Sequence, residues 1–276
     1  MIHDPNVKAL CGISGYRSFG EGTPRQYYYF VPANAGPETP VVVSVHGISL
    51  NAAEHMVRMR VMAERTGAAV IAPWFSRQHY RGYQKLLCRD GETRADLALI
   101  DILDDFARRH GIDSSKVFVS GFSGGGQFAH RFALFHADRV AACATCAAGW
   151  YTFPDCEVAY PLGTEAGSGP EALSPHPDAG KVPMHILVGS RDDVAEPSLN
   201  MTPEVVAMQG VGRVTRAKAW HAAMTAQRGG KGGEVSLTIL PKLGHDFGKA
   251  MERHALDRIV FEKFALRRVE EARSAA

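Results

Sequence analysis

The sequence has neither a long uninterrupted apolar run nor a large net charge. Its 276 residues carry 31 lysines and arginines against 29 aspartates and glutamates, a formal net charge of +2. No stretch approaches the roughly 20 apolar residues of a membrane-spanning helix, and the opening MIHDPNVKALCGISG has no apolar core of signal-peptide length. We therefore expect a cytoplasmic protein without a membrane or nucleic-acid partner.

Cysteines are few, and their positions argue against a disulfide framework or a metal site. Five cysteines are an odd count, which favours reduced thiols in a chain without an export signal. Cys143 and Cys146 form a C-x-x-C inside the apolar run VAACATCAAG and are predicted to be core residues. His79 and His176 are isolated, and no H-x-x-x-H or H-E-x-x-H spacing occurs, so we expect no metal and no cofactor.

Positive charge is concentrated in one segment. Arg213 to Lys218 are followed at short distance by Arg228 and Lys231. A charge run of this kind is typical of a solvated helix face, and that is the interpretation the sequence favours.

Apolar strand-like segments alternate with amphipathic helical segments along most of the chain. The strand-like runs are continuous rather than alternating, as expected of strands buried on both faces of a mostly parallel sheet. They lie at 26–32, 40–47, 68–73, 116–120, 139–147, 183–189 and 235–241. This order predicts a doubly wound α/β fold with helices on both faces, ending in a helix over roughly 247–270.

The stretch 149–181 does not fit this alternation. It contains five prolines and several glycines, and it shows no clear period. Because a long irregular connection in a compact domain is more often functional than filler, we expect a lid or substrate-binding insertion. The whole of 1–276 is otherwise predicted to be a single domain.

The most informative segment is KVFVSGFSGGGQFAHRF. A strand leads into Gly121-Phe122-Ser123-Gly124-Gly125, and a helix follows at once. This is G-x-S-x-G in the strand–turn–helix setting that exposes a nucleophilic serine. A dinucleotide fingerprint fits only loosely and lacks its acidic partner, and a P-loop would need Lys where Gln127 stands. Ser123 is therefore the candidate nucleophile.

A serine hydroxyl is a weak nucleophile, so the chain must supply a base and an acid that orients it. On this type of turn they follow later in the sequence, acid before histidine, on loops after strands. The strand PMHILVG leads to Asp192-Asp193, and VSLTILP leads to His245. We predict Asp192 and His245 as the partners of Ser123, with Asp193 solvated or capping a helix.

An oxyanion hole requires two N–H donors near the nucleophile. The N–H of Gly124, the residue after the serine, is one candidate. The other is the N–H of Ile48, in the turn His46-Gly47-Ile48 that follows an early apolar strand.

These motifs resemble the α/β-hydrolase superfamily from about Arg25 to the last helix. Within it the chain is similar to the polyhydroxybutyrate-depolymerase and feruloyl-esterase-like group. The segments that support this similarity are Arg25-Gln26-Tyr27, Pro40-Val-Val-Val with His46-Gly47, and G-F-S-G-G-G. The resemblance implies that Ser123 attacks an ester carbonyl while His245 takes its proton. It also implies an acyl-enzyme that water releases.

Substrate contacts are predicted only at the level of candidates. Trp74 and the segment from Trp150 and Tyr151 onwards follow strands at the expected site end of the sheet, as does His46. They indicate either an aromatic pocket or a loop packed on the core. We expect a cofactor-free esterase for a small ester. An acyltransferase, thioesterase, lactonase or peptidase with the same triad, or a binding protein on the same fold, remains an alternative.

Overall fold

The computed structural model describes residues 10–170 and 173–266, which contain one eight-stranded sheet. Its strands are β1 (Ile13–Phe19), β2 (Arg25–Val31), β3 (Val41–Val45), β4 (Ala69–Pro73), β5 (Val117–Phe122), β6 (Val140–Cys146), β7 (Met184–Gly189) and β8 (Val235–Leu240). They lie in the order β1-β2-β4-β3-β5-β6-β7-β8. β1 and β2 pair antiparallel with their neighbours, and the pairings from β4 across to β8 are parallel.

Helices cover both faces of this sheet. They are α1 (Ala52–Thr66), α2 (Ala95–His110), α3 (Gly124–Phe135), α4 (Pro203–Gln209), α5 (Arg213–Arg228), α6 (Phe247–His254) and α7 (Leu256–Lys263). The apolar residues of α1, α6 and α7 form one core cluster, and those of α2, α3 and α5 form another. Strand side chains alternate between the two, so Val41 and Val43 face one cluster and Val42 the other.

The predicted α/β fold is confirmed, and each of the seven predicted strands is present within a residue or two of its expected bounds. The sequence pattern missed β1, an edge strand whose side chains are largely exposed and therefore do not form an apolar run. The last predicted helix is two helices, α6 and α7, divided at Ala255 with a φ of 49°. Positions 267–270 of that prediction lie outside the described residues.

The C-x-x-C cysteines are core residues, as predicted. Cys143 and Cys146 are buried in β6, and they belong to different core clusters because residues three apart in a strand point to opposite faces. Burial raises the pKa of both thiols, that of Cys146 to about 12. The two side chains are therefore neutral and do not act as a pair.

The prediction that α5 presents a solvated basic face is wrong. Arg213, Arg216 and Arg228 are buried, while Lys218 is exposed. The arginines flank the apolar stripe of α5 that packs on the sheet, and their guanidinium groups bind main-chain carbonyls and carboxylates there. Arginine is suited to this because its planar group can satisfy several acceptors at once.

The predicted insertion at 149–181 has no strand or α-helix in its described part, 149–170 and 173–181. Its first residues are anchored rather than loose. The Thr152 N–H donates to Nε2 of His130 at 3.0 Å, and Trp220 Nε1 donates to the Thr152 carbonyl at 2.8 Å.

Among the described residues, no helix combines the length and apolarity that crossing a bilayer requires.

Candidate active site

Ser123 lies on a sharp turn between β5 and α3. Its backbone has φ 55° and ψ −115°, a left-handed conformation that a non-glycine residue rarely adopts. The turn is held by a hydrogen bond from the Ser123 N–H to the Cys146 carbonyl at 2.8 Å, so β6 supports it from the side. The serine side chain is thereby presented at the carboxyl edge of the sheet, where open α/β sheets place their sites.

Two glycines allow the backbone to pack closely around this turn. A Cβ on Gly125 would overlap the carbonyl of Val45, because the start of α3 lies directly on the end of β3. A Cβ on Gly47 would lie 3.3 Å from Cβ of Ser123 and 3.8 Å from its Oγ. The loop after β3 therefore lies against Ser123, and side chains at these positions would separate the two.

The structure joins Ser123, His245 and Asp192 in a continuous hydrogen-bonded chain. His245 Nε2 lies 2.9 Å from Ser123 Oγ, and His245 Nδ1 lies 2.8 Å from Asp192 Oδ2. Asp192 is in the loop after β7 and His245 in the loop after β8, so three parallel strands deliver the three groups to one edge. The ring of Phe122, tilted by 31° at 5.2 Å from the His245 ring, packs beside the imidazole.

The geometry also separates the two neighbouring aspartates. Asp192 is 2 % exposed and contacts His245, whereas Asp193 is exposed and accepts a hydrogen bond from the Thr215 N–H at 3.1 Å in the first turn of α5. A carboxylate at that position satisfies an otherwise unpaired helix N–H. Asp193 is thus a cap and Asp192 is the acid in reach of the histidine.

The two predicted oxyanion donors lie on the loops that flank Ser123. Gly124 is the first residue of α3, so its N–H has no partner within the helix. Ile48 follows Gly47, whose carbonyl accepts a hydrogen bond from the Leu50 N–H at 3.1 Å in a tight turn. Within the described residues the Ile48 and Gly124 N–H groups donate no hydrogen bond, so both are available to a bound oxyanion.

His46 does not lie on a substrate surface, although the sequence made it a candidate contact. Its side chain is fully buried. Nε2 accepts from the Phe75 N–H at 3.0 Å, and Nδ1 donates to the Gly47 carbonyl at 2.7 Å. Burial lowers the pKa of His46 to about 4, outweighing the hydrogen bond to Gly47, which raises it. The neutral ring therefore fastens the loop after β3 to the residues after β4.

The aromatic candidates also pack into the core instead of lining an open pocket. Tyr151 is fully buried and stacks on Trp220 at 4.7 Å, and Trp150 is 6 % exposed with the Arg131 guanidinium 4.3 Å from its ring centroid. Trp74 is half-buried and packs against the cluster of α1, α6 and α7. Of the two interpretations the sequence allowed, the structure favours the packed loop.

The sequence analysis did not identify one neighbour of Asp192. Arg213 Nη1 donates to Asp192 Oδ1 at 2.9 Å, on the side of the carboxylate that does not face His245. The signal that would have found it is the apolar stripe Val214, Ala217, Trp220 and Met224, which turns this part of α5 inward.

Among the described residues, no group of three His, Cys, Asp or Glu side chains is arranged to hold a metal ion.

Comparison with known proteins finds similarity to hydrolases. No protein-family model matches the chain. A curated relative, a bifunctional acetylxylan esterase/xylanase of Neocallimastix patriciarum, is 25 % identical over 177 residues, 63 % of this chain. The chain covers only 22 % of the length of that relative.

Solved structures match over nearly the whole chain. Poly(aspartic acid) hydrolase-1 of Sphingomonas sp. KT-1 superposes with a TM-score of 0.74 at 24 % identity, covering 90 % of this chain and 98 % of that one. The poly(3-hydroxybutyrate) depolymerase of Bordetella parapertussis has a TM-score of 0.73 at 27 % identity, with coverages of 91 % and 90 %. The chain therefore has the α/β-hydrolase fold, and the solved structures that it resembles include a poly(3-hydroxybutyrate) depolymerase.

Proposed function

We propose that the chain is a serine carboxylic-ester hydrolase that acts through an acyl-enzyme on a small ester. The observation that carries the proposal is the chain of hydrogen bonds from Ser123 Oγ through His245 to Asp192, at 2.9 and 2.8 Å. Support for ester chemistry comes from the relatives, which are named as an acetylxylan esterase and a poly(3-hydroxybutyrate) depolymerase.

In the proposed reaction His245 Nε2 takes the proton of Ser123 as Oγ attacks the ester carbonyl. The tetrahedral oxyanion accepts hydrogen bonds from the N–H groups of Ile48 and Gly124, each worth ~3 kcal/mol in comparable sites. His245 then gives its proton to the departing alcohol, leaving an acyl group on Ser123. Water, activated by the same imidazole, releases the acid, while Asp192 keeps the ring oriented with its proton on Nδ1.

The substrate is proposed only as a small ester with an apolar portion. The exposed apolar side chains of Ile48 and Val194 lie on the loops that carry the oxyanion donor and the acid, and they are available to such a group. A preference for aromatic esters has little support, because Trp150 and Tyr151 are buried.

Two further expectations stay proposals. A cytoplasmic location is supported by the exposed thiols of Cys88 and Cys156, which persist in reducing compartments. A substrate-covering role for 149–181 would require its outer part, after the anchored Thr152, to move. Limited proteolysis with and without a bound phosphonate would detect such a movement as a change in cleavage within this stretch.

The mechanism is tested by labelling with a fluorophosphonate probe and by turnover of p-nitrophenyl esters of varied chain length. We expect wild-type protein to be labelled and Ser123→Ala to lose labelling and ~10⁴-fold or more in turnover. Ser115→Ala is the control, because Ser115 is exposed at the opposite end of β5. Labelling that survives in Ser123→Ala would contradict the proposal. Labelling without turnover of any ester would point to a transferase or a peptidase.

A further inference from the structure

The acid of the triad is held between His245, whose side chain is 16 % exposed, and a buried arginine. One oxygen of Asp192, Oδ2, faces His245, and the other, Oδ1, accepts a hydrogen bond from Arg213 Nη1 at 2.9 Å. The side chains of Arg213 and Asp192 are 2 % and 1 % exposed. The same Nη1 is 3.3 Å from Oε2 of Glu196, whose side chain is 40 % exposed. A buried arginine thus bridges the catalytic acid and a carboxylate at the surface.

On the proposed function, we infer that Arg213 is a positioning residue of the triad and that Arg213 and Glu196 together set the lower pH limit of activity. A carboxylate removed from water is retained as an anion only when it is paired and hydrogen-bonded. By binding Oδ1, Arg213 supplies that pairing and leaves Oδ2 directed at the imidazole. Arg213 touches neither substrate nor reacting atoms, so it acts through Asp192.

The sign of the pH effect follows from the charges. Proton uptake by the Asp192–His245 pair disables the base, and it is opposed by a nearby positive charge and favoured by a nearby negative one. Removing the charge of Arg213 therefore moves the acid limb of the pH–rate profile to higher pH. Removing the charge of Glu196 moves it to lower pH, by less, because Glu196 is farther from the pair and partly solvated.

Other groups surround the pair and stay constant in this comparison. Tyr151 is neutral, because burial raises its pKa far above the range in question. Asp193 is engaged with Thr215 and Asp246 with Lys249. The charged or titratable groups near Asp192, His245 and Arg213 in the described residues include Tyr151, Arg191, Asp193, Glu196, Arg216 and Asp246.

Arg216 provides a matched control on the same helix. It is as fully buried as Arg213, but its guanidinium binds the carbonyls of Gly149, Asn200 and Gly210 and no triad residue. Replacing Arg216 removes a guanidinium that is equally buried, and it leaves the hydrogen bond between Arg213 and Asp192 in place. Glu204, exposed in α4, is the corresponding control for Glu196.

The experiment measures the rate of fluorophosphonate labelling of Ser123 from pH 4.5 to 9 in Arg213→Gln, Arg213→Lys, Arg216→Gln, Glu196→Gln and Glu204→Gln. We expect Arg213→Gln to move the acid limb upward by ~1 pH unit, which slows labelling by up to about tenfold on the acid side of the profile. Arg213→Lys should keep the limb near its wild-type position, because the charge is retained. Glu196→Gln should move the limb downward, and Arg216→Gln and Glu204→Gln should leave it in place.

The readout needs no known substrate, and circular dichroism with thermal melts establishes that each variant is folded. If Arg213→Gln does not fold, the surface variant Glu196→Gln carries the test, with Glu204→Gln beside it. An acid limb that stays in place in Arg213→Gln, or in Glu196→Gln where only that variant folds, would overturn the inference and leave Arg213 a structural residue. Absence of labelling in the wild type at every pH would instead overturn the proposed function.

Discussion

The turn that carries Ser123 and the helix α5 meet at the hydrogen-bonded group of Ser123, His245 and Asp192, but different kinds of interaction hold them in place. The turn is determined mainly by backbone packing: glycines at 47 and 125 let β3, β5 and α3 approach closely around a residue with positive φ. Helix α5 is held through long side chains, whose guanidinium groups reach loops far away in the sequence. The first arrangement tolerates almost no added volume. The second depends on charge and hydrogen bonding.

Adding one methyl group to the turn tests its side of this comparison. In Gly125→Ala the new Cβ would overlap the Val45 carbonyl, and neither backbone segment can yield without displacing the start of α3. We expect a loss of ~4 kcal/mol or more in the free energy of unfolding, or failure to fold. Urea denaturation measures it, with Gly180→Ala as the control, because a Cβ there meets nothing within 4 Å. Equal stability of the two variants would show that the turn is not held by close packing.

Removing a guanidinium tests the helix side, with a smaller expected effect. Arg216→Met leaves the carbonyls of Gly149, Asn200 and Gly210 without their donor, and we expect a loss of ~3 kcal/mol. Lys218→Met, two residues along α5 and exposed, should change stability by less than ~0.5 kcal/mol. The two variants are compared by denaturant titration. If they lose stability equally, α5 is a solvated basic face after all.

The pH dependence of stability tests the turn in a second way, because the loop beside the turn is held by His46 in its neutral form. The pKa of His46 falls from its usual value of 6.5 to about 4, mainly through burial. As the pH falls below 6.5 the unfolded chain takes up a proton that the folded chain does not, so stability declines until the folded group also titrates. His46 alone accounts for ~2 kcal/mol lost between pH 7 and pH 5.

Other buried histidines add to this decline in the same direction. Burial lowers the pKa of His55 and His130 well below the usual value. Unfolding free energies measured from pH 7 to pH 5 should therefore fall steeply, and His46→Gln should show a shallower slope. A wild-type slope near zero over this interval would be inconsistent with neutral buried histidines.

Much of the fold could be predicted from the sequence because its strands bury both faces. A continuous apolar run such as 183–189 identifies such a strand without knowledge of its neighbours. β1 lacked this signal, since its side chains at the sheet edge are mostly exposed. The sequence predicted that Asp192 partners His245 and that Asp193 is solvated or caps a helix. Two adjacent aspartates after a strand are nevertheless chemically equivalent. Only the direction of each side chain separates them.

The burial of the aromatic segment and of the arginines of α5 could not be predicted from the sequence. Trp150 and Tyr151 follow a strand at the site end of the sheet, and their sequence does not say whether they face solvent or Trp220. A basic run likewise predicts a solvated helix face. The arginines can be buried only where carbonyls and carboxylates of other loops accept their hydrogen bonds. Burial of a polar side chain depends on partners that the local sequence does not contain.

The sequence by itself determined the α/β order and the strained turn at Ser123, because apolar periodicity and glycine spacing act over a few residues. It also supplied the candidates Asp192 and His245, by their positions after strands. Tertiary structure alone decided that Arg213 lies against Asp192 and that His46 fastens the loop after β3. It also placed the aromatic side chains inside the core. These outcomes rest on hydrogen bonds and packing between residues distant in sequence, which exist only once the sheet has assembled.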